Sequence, residues 1–247
     1  LTVDGSFCTG GAVFVVLLTG GVSLWLALLL AFLAGVATGL VTGLLHTACG
    51  IPAILAGILT QLALYSVNLA VMGMKATVAI NVTNAENLDR LLVSLRFVQD
   101  VANGTRPFYR HPIVVVSLAT LLLIAALYWF FGTALGCSLR ATGSNASMAR
   151  AQGINTNFSK VLGLMLSNGL VALSGALLAQ YNSAAEINMG RGAIVIGLAA
   201  VIIGEVLFSR LFRNFALKLA SVSIGAIIYY IVIQAVLAMG LNANYLK

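Results

Sequence analysis

Residues 23–45 read SLWLALLLAFLAGVATGLVTGLL, an apolar run without a single charge. About 20 such residues cross the hydrocarbon of a bilayer as a helix. In lipid every backbone amide must find its partner within the segment, so a helix is the form this run takes. Comparable runs follow at 53–73, 112–132, 161–181 and 215–240. Two shorter ones stand apart. Residues 6–18 are too short to span alone, and 193–208, which carries Glu205, suits a re-entrant or half-helix as well as a full crossing. Charged residues make up 8% of the 247, against about 25% in a soluble domain. The fold class expected is therefore all-α, a polytopic α-helical transmembrane protein with one membrane domain over residues 1–247.

Within the first long run Gly35, Gly39 and Gly43 recur every fourth position. That spacing places them on one helical face, where another helix backbone can approach closely. A break at Gly50-Ile51-Pro52 separates this run from the next. Residues 74–111 hold both charge signs, Asn and Pro, and LDRLLVSLRFV within them has the spacing of a short amphipathic helix. This segment is expected as a structured extramembrane loop.

The basic residues give orientation. Arg140, Arg150 and Lys160 crowd one short loop and Arg210, Arg213 and Lys218 another, with no acid in either. Positive charge marks the cytoplasmic side, so 140–160 is expected inside and 74–111, one crossing away, outside. The net charge of +7 follows from such loops and does not point to nucleic acid. Cys8, Cys49 and Cys137 lie in or beside apolar segments without CxxC or metal spacing, and are expected as small packing residues.

No GxxxxGK[ST], HExxH or GxSxG occurs, and no nucleophile, base and oxyanion site come together, so an enzyme has no support. His46 and His111 sit at span ends and fit the membrane interface. Trp25, Tyr128, Trp129 and Tyr181 fit interfacial belts better than a substrate box.

Residues 140–160, RATGSNASMARAQGINTNFSK, are more than a topogenic basic loop. Ser144 or Asn145 offers an N-cap, SMARAQ follows, and Gly153 is a C-terminal stop. This predicts a helix of about two turns, with small residues and Met148 able to enter a cleft on a partner.

The stretch resembles the cytoplasmic coupling-helix loop of ABC importer permeases of the ribose and branched-chain amino acid class. That loop carries a Gly, an Asn, small residues and a Gly-Ile, matched here by Gly143, Asn145, Ala146, Ala149, Gly153 and Ile154. LTVDGSF resembles the family's Asp-containing broken-helix segment, and GLVTGLLHTACGIPAILAGILT its Gly-rich turn before an Ile-Pro span. LSNGLVALSGALLAQY with IVIGLAAVIIGEVLF is similar to the tryptophan/tyrosine, more broadly aromatic amino acid, import permeases.

The resemblance implies a type II-like permease with broken helices, in the bacterial plasma (inner) membrane among lipid. It also implies a first span before Leu1 and a last after Lys247, hence an excerpt of a longer protein. A separate ABC ATPase subunit would bind ATP and Mg, leaving this chain without a cofactor. A second permease copy or homologue and an extracytoplasmic substrate-binding protein would complete the importer. ATPase coupling would fall to residues 140–154, namely Arg140, Gly143, Ser144, Asn145, Ala146, Met148, Ala149, Arg150, Gln152, Gly153 and Ile154. For Arg140 and Arg150 a purely topogenic role competes with pairing to ATPase acids.

Polar residues within the spans are the candidates for the translocation pathway: Asp4, Gln61, Asn68, Ser167, Asn168 and Glu205, with Gln180 beside them. Asp4 is placed to cap a helix beside a cavity. An ionisable group such as Glu205 is expensive in a membrane and faces a cavity or a partner; pairing with Arg210 or Arg213 is its structural alternative. Interhelical hydrogen bonding is the alternative for Gln61, Asn68, Ser167, Asn168 and Gln180. The function expected is ATP-driven import of a small solute, an aromatic amino acid. A self-sufficient secondary transporter is the competing class, though it should carry more intramembrane ionisable groups. A structural or assembly protein without transport activity is a third.

Overall fold

In the computed structural model, residues 2–80, 91–94, 97, 111–208 and 214–239 are described. The helices are α1 (Val3–Thr19), α2 (Leu24–Thr47), α3 (Ala53–Val71), α4 (Pro112–Gly132), α5 (Ala134–Ser144), α6 (Ala146–Ala151), α7 (Thr156–Asn182), α8 (Ala193–Phe208) and α9 (Phe215–Ala238). Two short strands, β1 (Thr77–Ala79) and β2 (Ala184–Glu186), pair antiparallel, with Val78 opposite Ala185. Among the described residues α2, α3, α4, α7 and α9 are long and apolar enough to cross a membrane, while α1 and α8 are shorter apolar helices. Each expected run is therefore a helix.

The distribution of side chains is that of a protein solvated by lipid. Leu29, Leu62, Leu121, Leu122 and Val206 face outward, whereas Ala12, Ala27, Ala31, Ala172, Ala176 and Ala179 are fully buried. Lipid tails are as apolar as Leu, so burying Leu gains little; close backbone packing and hydrogen bonds hold the helices instead.

Helix α1 lies at the centre, packed against α2, α3 and α7. A side chain added at Gly10 would strike the carbonyl of Ala172, and one at Gly175 the carbonyl of Phe7. The glycine stripe on α2 does what its spacing predicts. Gly35 packs on Ala172 and the Asn168 carbonyl, Gly39 on the Leu164 carbonyl and Met165, and Gly43 on Val161. Residue numbers rise on α2 as they fall on α7, so these two helices run antiparallel.

Polar contacts cross the same seam. Ser6 Oγ donates to Asn168 Oδ1 at 2.7 Å and lies 2.9 Å from Thr38 Oγ1, while the Thr2 and Thr42 hydroxyls approach to 3.3 Å. A bond of this kind averages about 0.6 kcal/mol inside a membrane, so the set fixes register more than it adds stability. A second tight pair joins α8 to α9, where Gly204 meets the Ser221 carbonyl and Gly225 the carbonyl of Ala200.

Several expectations change. Within the stretch expected as an amphipathic helix, Leu91–Ser94 form a bend and its flanks, Phe97 is helical, and the remaining positions lie outside the described residues. Helix α5 precedes the expected short helix and ends at Ser144. Of the three free cysteines only Cys8 is buried, so a packing role fits that one and not the exposed Cys49 and Cys137.

The contact of Gly39 with α7 generates a prediction. Gly39→Leu should lower the thermal unfolding midpoint of the detergent-purified protein, with a cost of about 1–3 kcal/mol from overpacking. Leu121→Ile, on the lipid-facing surface, should stay within about 0.5 kcal/mol of the parent. Equal midpoints for Gly39→Leu and the parent would show that α2 and α7 do not depend on this approach.

Candidate functional site

The chain between α7 and α8 returns along the side of α1 instead of forming a simple turn. Strand β2 is held to β1, and the pairing extends through Ile80 N to Ser183 O and Ile187 N to Ala76 O. Cys8 Sγ, midway along α1, lies 3.7 Å from the Glu186 carbonyl, to which it donates. Gly190 then packs directly on the carbonyl of Asp4. Non-helical backbone is tolerated among membrane helices where it is paired or lines a cavity, and this segment does both.

Asp4 closes the segment. Its Oδ2 accepts from Gly192 N at 3.3 Å and its Oδ1 from Ile194 N at 3.2 Å. Gly192, at φ +85°, supplies the left-handed turn into α8. The first amide groups of a helix have no internal partner and carry partial positive charge. One carboxylate on α1 thus satisfies two amides at the start of α8 and is itself compensated by them. The expected capping role of Asp4 is met by a helix far away in sequence.

Beside this junction a cleft of about 190 Å³ opens between α1, α3 and the 184–192 segment. Asp4, Gln61 and Asn68 line it, joined by Tyr65, Asn188 and Arg191, which the sequence did not single out. Asn68 is 1% exposed; its Nδ2 donates to the Gly5 carbonyl at 3.3 Å, and its Oδ1 has no partner among the described residues. Arg191 is exposed, and its guanidinium makes no hydrogen bond or ion pair among the described residues.

The other span residues lie elsewhere. Asn168 is buried in the seam with Ser6, its Nδ2 on the Leu164 carbonyl at 2.9 Å. Ser167 is exposed and bonds back to the same carbonyl at 3.2 Å. Gln180 is buried and accepts from Leu92 N at 3.2 Å. Glu205 is exposed and lines no part of the cleft, and Arg210 and Arg213 fall outside the described residues. Among the described residues no three His, Cys, Asp or Glu gather at a metal-binding spacing.

At the end of the bundle away from the strands, α5 and α6, separated by the extended residue Asn145, precede α7. Asn145, not Ser144, is the cap of α6. Its Oδ1 accepts from Ser147 N and Met148 N, both at 3.1 Å. Gly153, at φ +80°, ends the helix, with Ile154 N bonded to the Ala149 carbonyl at 3.0 Å. Ala149 is buried against the bundle, while Gly143, Ser144, Asn145, Met148, Arg150, Gln152 and Gly153 are exposed; Ala146 and Ile154 are partly covered. Arg150 Nε donates to Thr156 Oγ1 at 3.1 Å, tying α6 to the start of α7. Arg140 is exposed and lies over Phe215, its guanidinium 5.0 Å from the centre of the ring, a cation–π distance.

Comparison with known proteins gives this geometry a context. Residues 1–247 match the family described as branched-chain amino acid transport system / permease component. The chain is 35% identical over its whole length to 76% of a tyrosine transport system permease protein of Clostridioides difficile (strain R20291). It is 34% identical over its whole length to 82% of an uncharacterized protein of Rickettsia prowazekii (strain Madrid E). A stretch covering 37% of the chain is 30% identical to 26% of the autoinducer 2 import system permease protein LsrC of Yersinia pestis (strain Pestoides F). No solved structure matches. The chain belongs to the branched-chain amino acid transport system permease family, a multi-pass transport subunit of the bacterial inner membrane and not an enzyme.

Proposed function

We propose that this permease imports an aromatic amino acid, of tyrosine or tryptophan type, in an ATP-driven importer. The observation that carries the reading is full-length likeness to a protein named as a tyrosine transport permease. The small cleft at the α1–α8 junction, lined by Asp4, Gln61, Asn68 and Arg191, offers polar groups to such a solute. Basic residues at 140, 150 and 160 put the α5–α6 segment on the cytoplasmic side. The β1–β2 end and the 74–111 loop then face outward, towards a binding protein that delivers cargo.

In this arrangement α6 is the contact for the ATPase subunit, which binds ATP and Mg. Its exposed Met148 and its short side chains fit a cleft on that partner, the helix-in-groove mode of recognition. The bond from Arg150 to Thr156 and the burial of Ala149 link α6 to α7. Movement of α6 therefore reaches the glycine seam with α2, and through it α1 and the cleft. A second permease copy or homologue encloses the exposed side of the cleft, and the two halves alternate access.

Three expectations test the reading. Met148→Glu and Ala146→Glu should reduce co-purification of the ATPase and cut uptake by about tenfold or more, as loss of a buried interface anchor does. Full uptake by both variants would remove α6 from the coupling. Asn145→Ala, which deletes the cap, should cost α6 about 1 kcal/mol and lower uptake with little change in the melting of the whole protein. Finally, thermal-shift screening of the cognate binding protein should show stabilisation by tyrosine or tryptophan. Stabilisation by sugars alone would replace the aromatic amino acid with a sugar.

A further inference from the structure

Two unsatisfied groups of opposite chemistry line the cleft. Asn68 is almost wholly buried, yet its Oδ1 has no partner among the described residues. Flipping the amide does not relieve this. The Gly5 carbonyl, 3.3 Å from Nδ2, is an acceptor, so the nitrogen must stay there, and the oxygen, itself buried in a residue that lines the cleft, is left without a donor among the described residues. A buried acceptor without a donor is a costly arrangement unless something arrives to fill it. It wants an N–H or O–H.

Arg191 wants the reverse. Its guanidinium is always charged and offers five donors in a planar fork suited to a carboxylate. Asp4, the acid lining the same cleft, is committed through both oxygens to the amides of Gly192 and Ile194. Those amides offset part of its charge, and Arg191 makes no ion pair among the described residues. A neutral polyol would leave the cation unmatched, and a simple amine would meet it with repulsion. A molecule with an ammonium and a carboxylate on one carbon answers both groups.

The geometry points to this cleft as a subsite for the zwitterionic end of an α-amino acid. The carboxylate is held by Arg191 and the ammonium by Asn68 Oδ1, with Leu62 and Tyr65 at the exposed rim beside the cargo's side chain. Tyr65 supplies a face on which an aromatic cargo ring can pack. The inference rests on the import of amino acids and adds the residues that read the two charged ends. Few contacts suffice, because a transit site must release what it binds.

The test uses the complete importer, with ATPase and binding protein, in proteoliposomes supplied with radiolabelled tyrosine or tryptophan. Uptake and the ATP hydrolysis stimulated by loaded binding protein are measured together. Arg191→Gln should cut uptake by about tenfold or more, the scale of losing a charge-assisted fork. Stimulated hydrolysis should stay within about twofold of the parent, because α6 and the ATPase are untouched. Arg191→Lys, which keeps the charge and loses the fork, should recover part of the uptake. Asn68→Leu should show the same separation; as it also gives up the bond to Gly5, its melting is measured beside it and the Arg191 pair decides. Undiminished uptake in Arg191→Gln, or hydrolysis falling in step with uptake, overturns the subsite. A parent importer that shows neither uptake nor stimulated hydrolysis with tyrosine or with tryptophan overturns the functional reading and the subsite with it.

Discussion

Helices in a bilayer are not driven together by water, and this fold depends on how closely α1, α2 and α7 can approach without that force. Gly10, Gly35, Gly39 and Gly175 allow backbone to lie on backbone, at positions where a single added carbon would meet a carbonyl. Close approach multiplies dispersion contacts and brings short hydroxyl side chains within reach of one another. Ser6, Thr38 and Asn168 meet because the glycines let them. Nothing larger would reach across without prying the helices apart, which is why this seam is lined by Ala, Gly, Ser and Thr, beside larger buried groups such as Phe14 and Val15 of α1.

With α1 held in that way, its first turn becomes a fixed post. Asp4 projects from it to take two amides of α8, so an interrupted crossing starts in the interior without stranded N–H groups. The interruption exposes backbone and polar side chains beside the helices, and a cleft follows from it. Transport needs such a place, because a continuous helix satisfies all its own amides and offers cargo only side chains. The same post links the cleft to α7 and, through Arg150 and Thr156, to α6. In the proposed coupling, displacement passes through packed backbone, which transmits it with little slack.

Much of this was legible before any coordinates. The apolar runs marked the helices within a few residues, since the length of an uncharged run reports on lipid solvation directly. Gly35, Gly39 and Gly43 announced a packing face, and Asn145 with Gly153 announced a short capped helix, because caps and stops are local chemistry. Helix α5 was missed: SLRATGS mixes polar and small residues, and its helicity comes from docking beside α7 and Phe215 rather than from a strong pattern. Arg191 and Tyr65 were missed for a different reason. Arg191 lies between two apolar runs and Tyr65 within one, and no local signal places either beside Asn68.

By itself the sequence determined the apolar helices, the glycine seam, the cap and stop of α6, and the family. Each of these is written in neighbouring residues or in a fixed helical period. Tertiary structure alone decided which polar side chains meet. Hydropathy does not tell the inner face of a helix from the outer when both solvents are apolar, so Ser167 and Asn168, adjacent in sequence, parted to lipid and core. The union of Asp4 with Gly192 and Ile194, and of Asn68 with Arg191 in one cleft, depends on the chain re-entering beside α1. That path is set by strand pairing and backbone contact across the bundle, which no stretch of sequence carries alone.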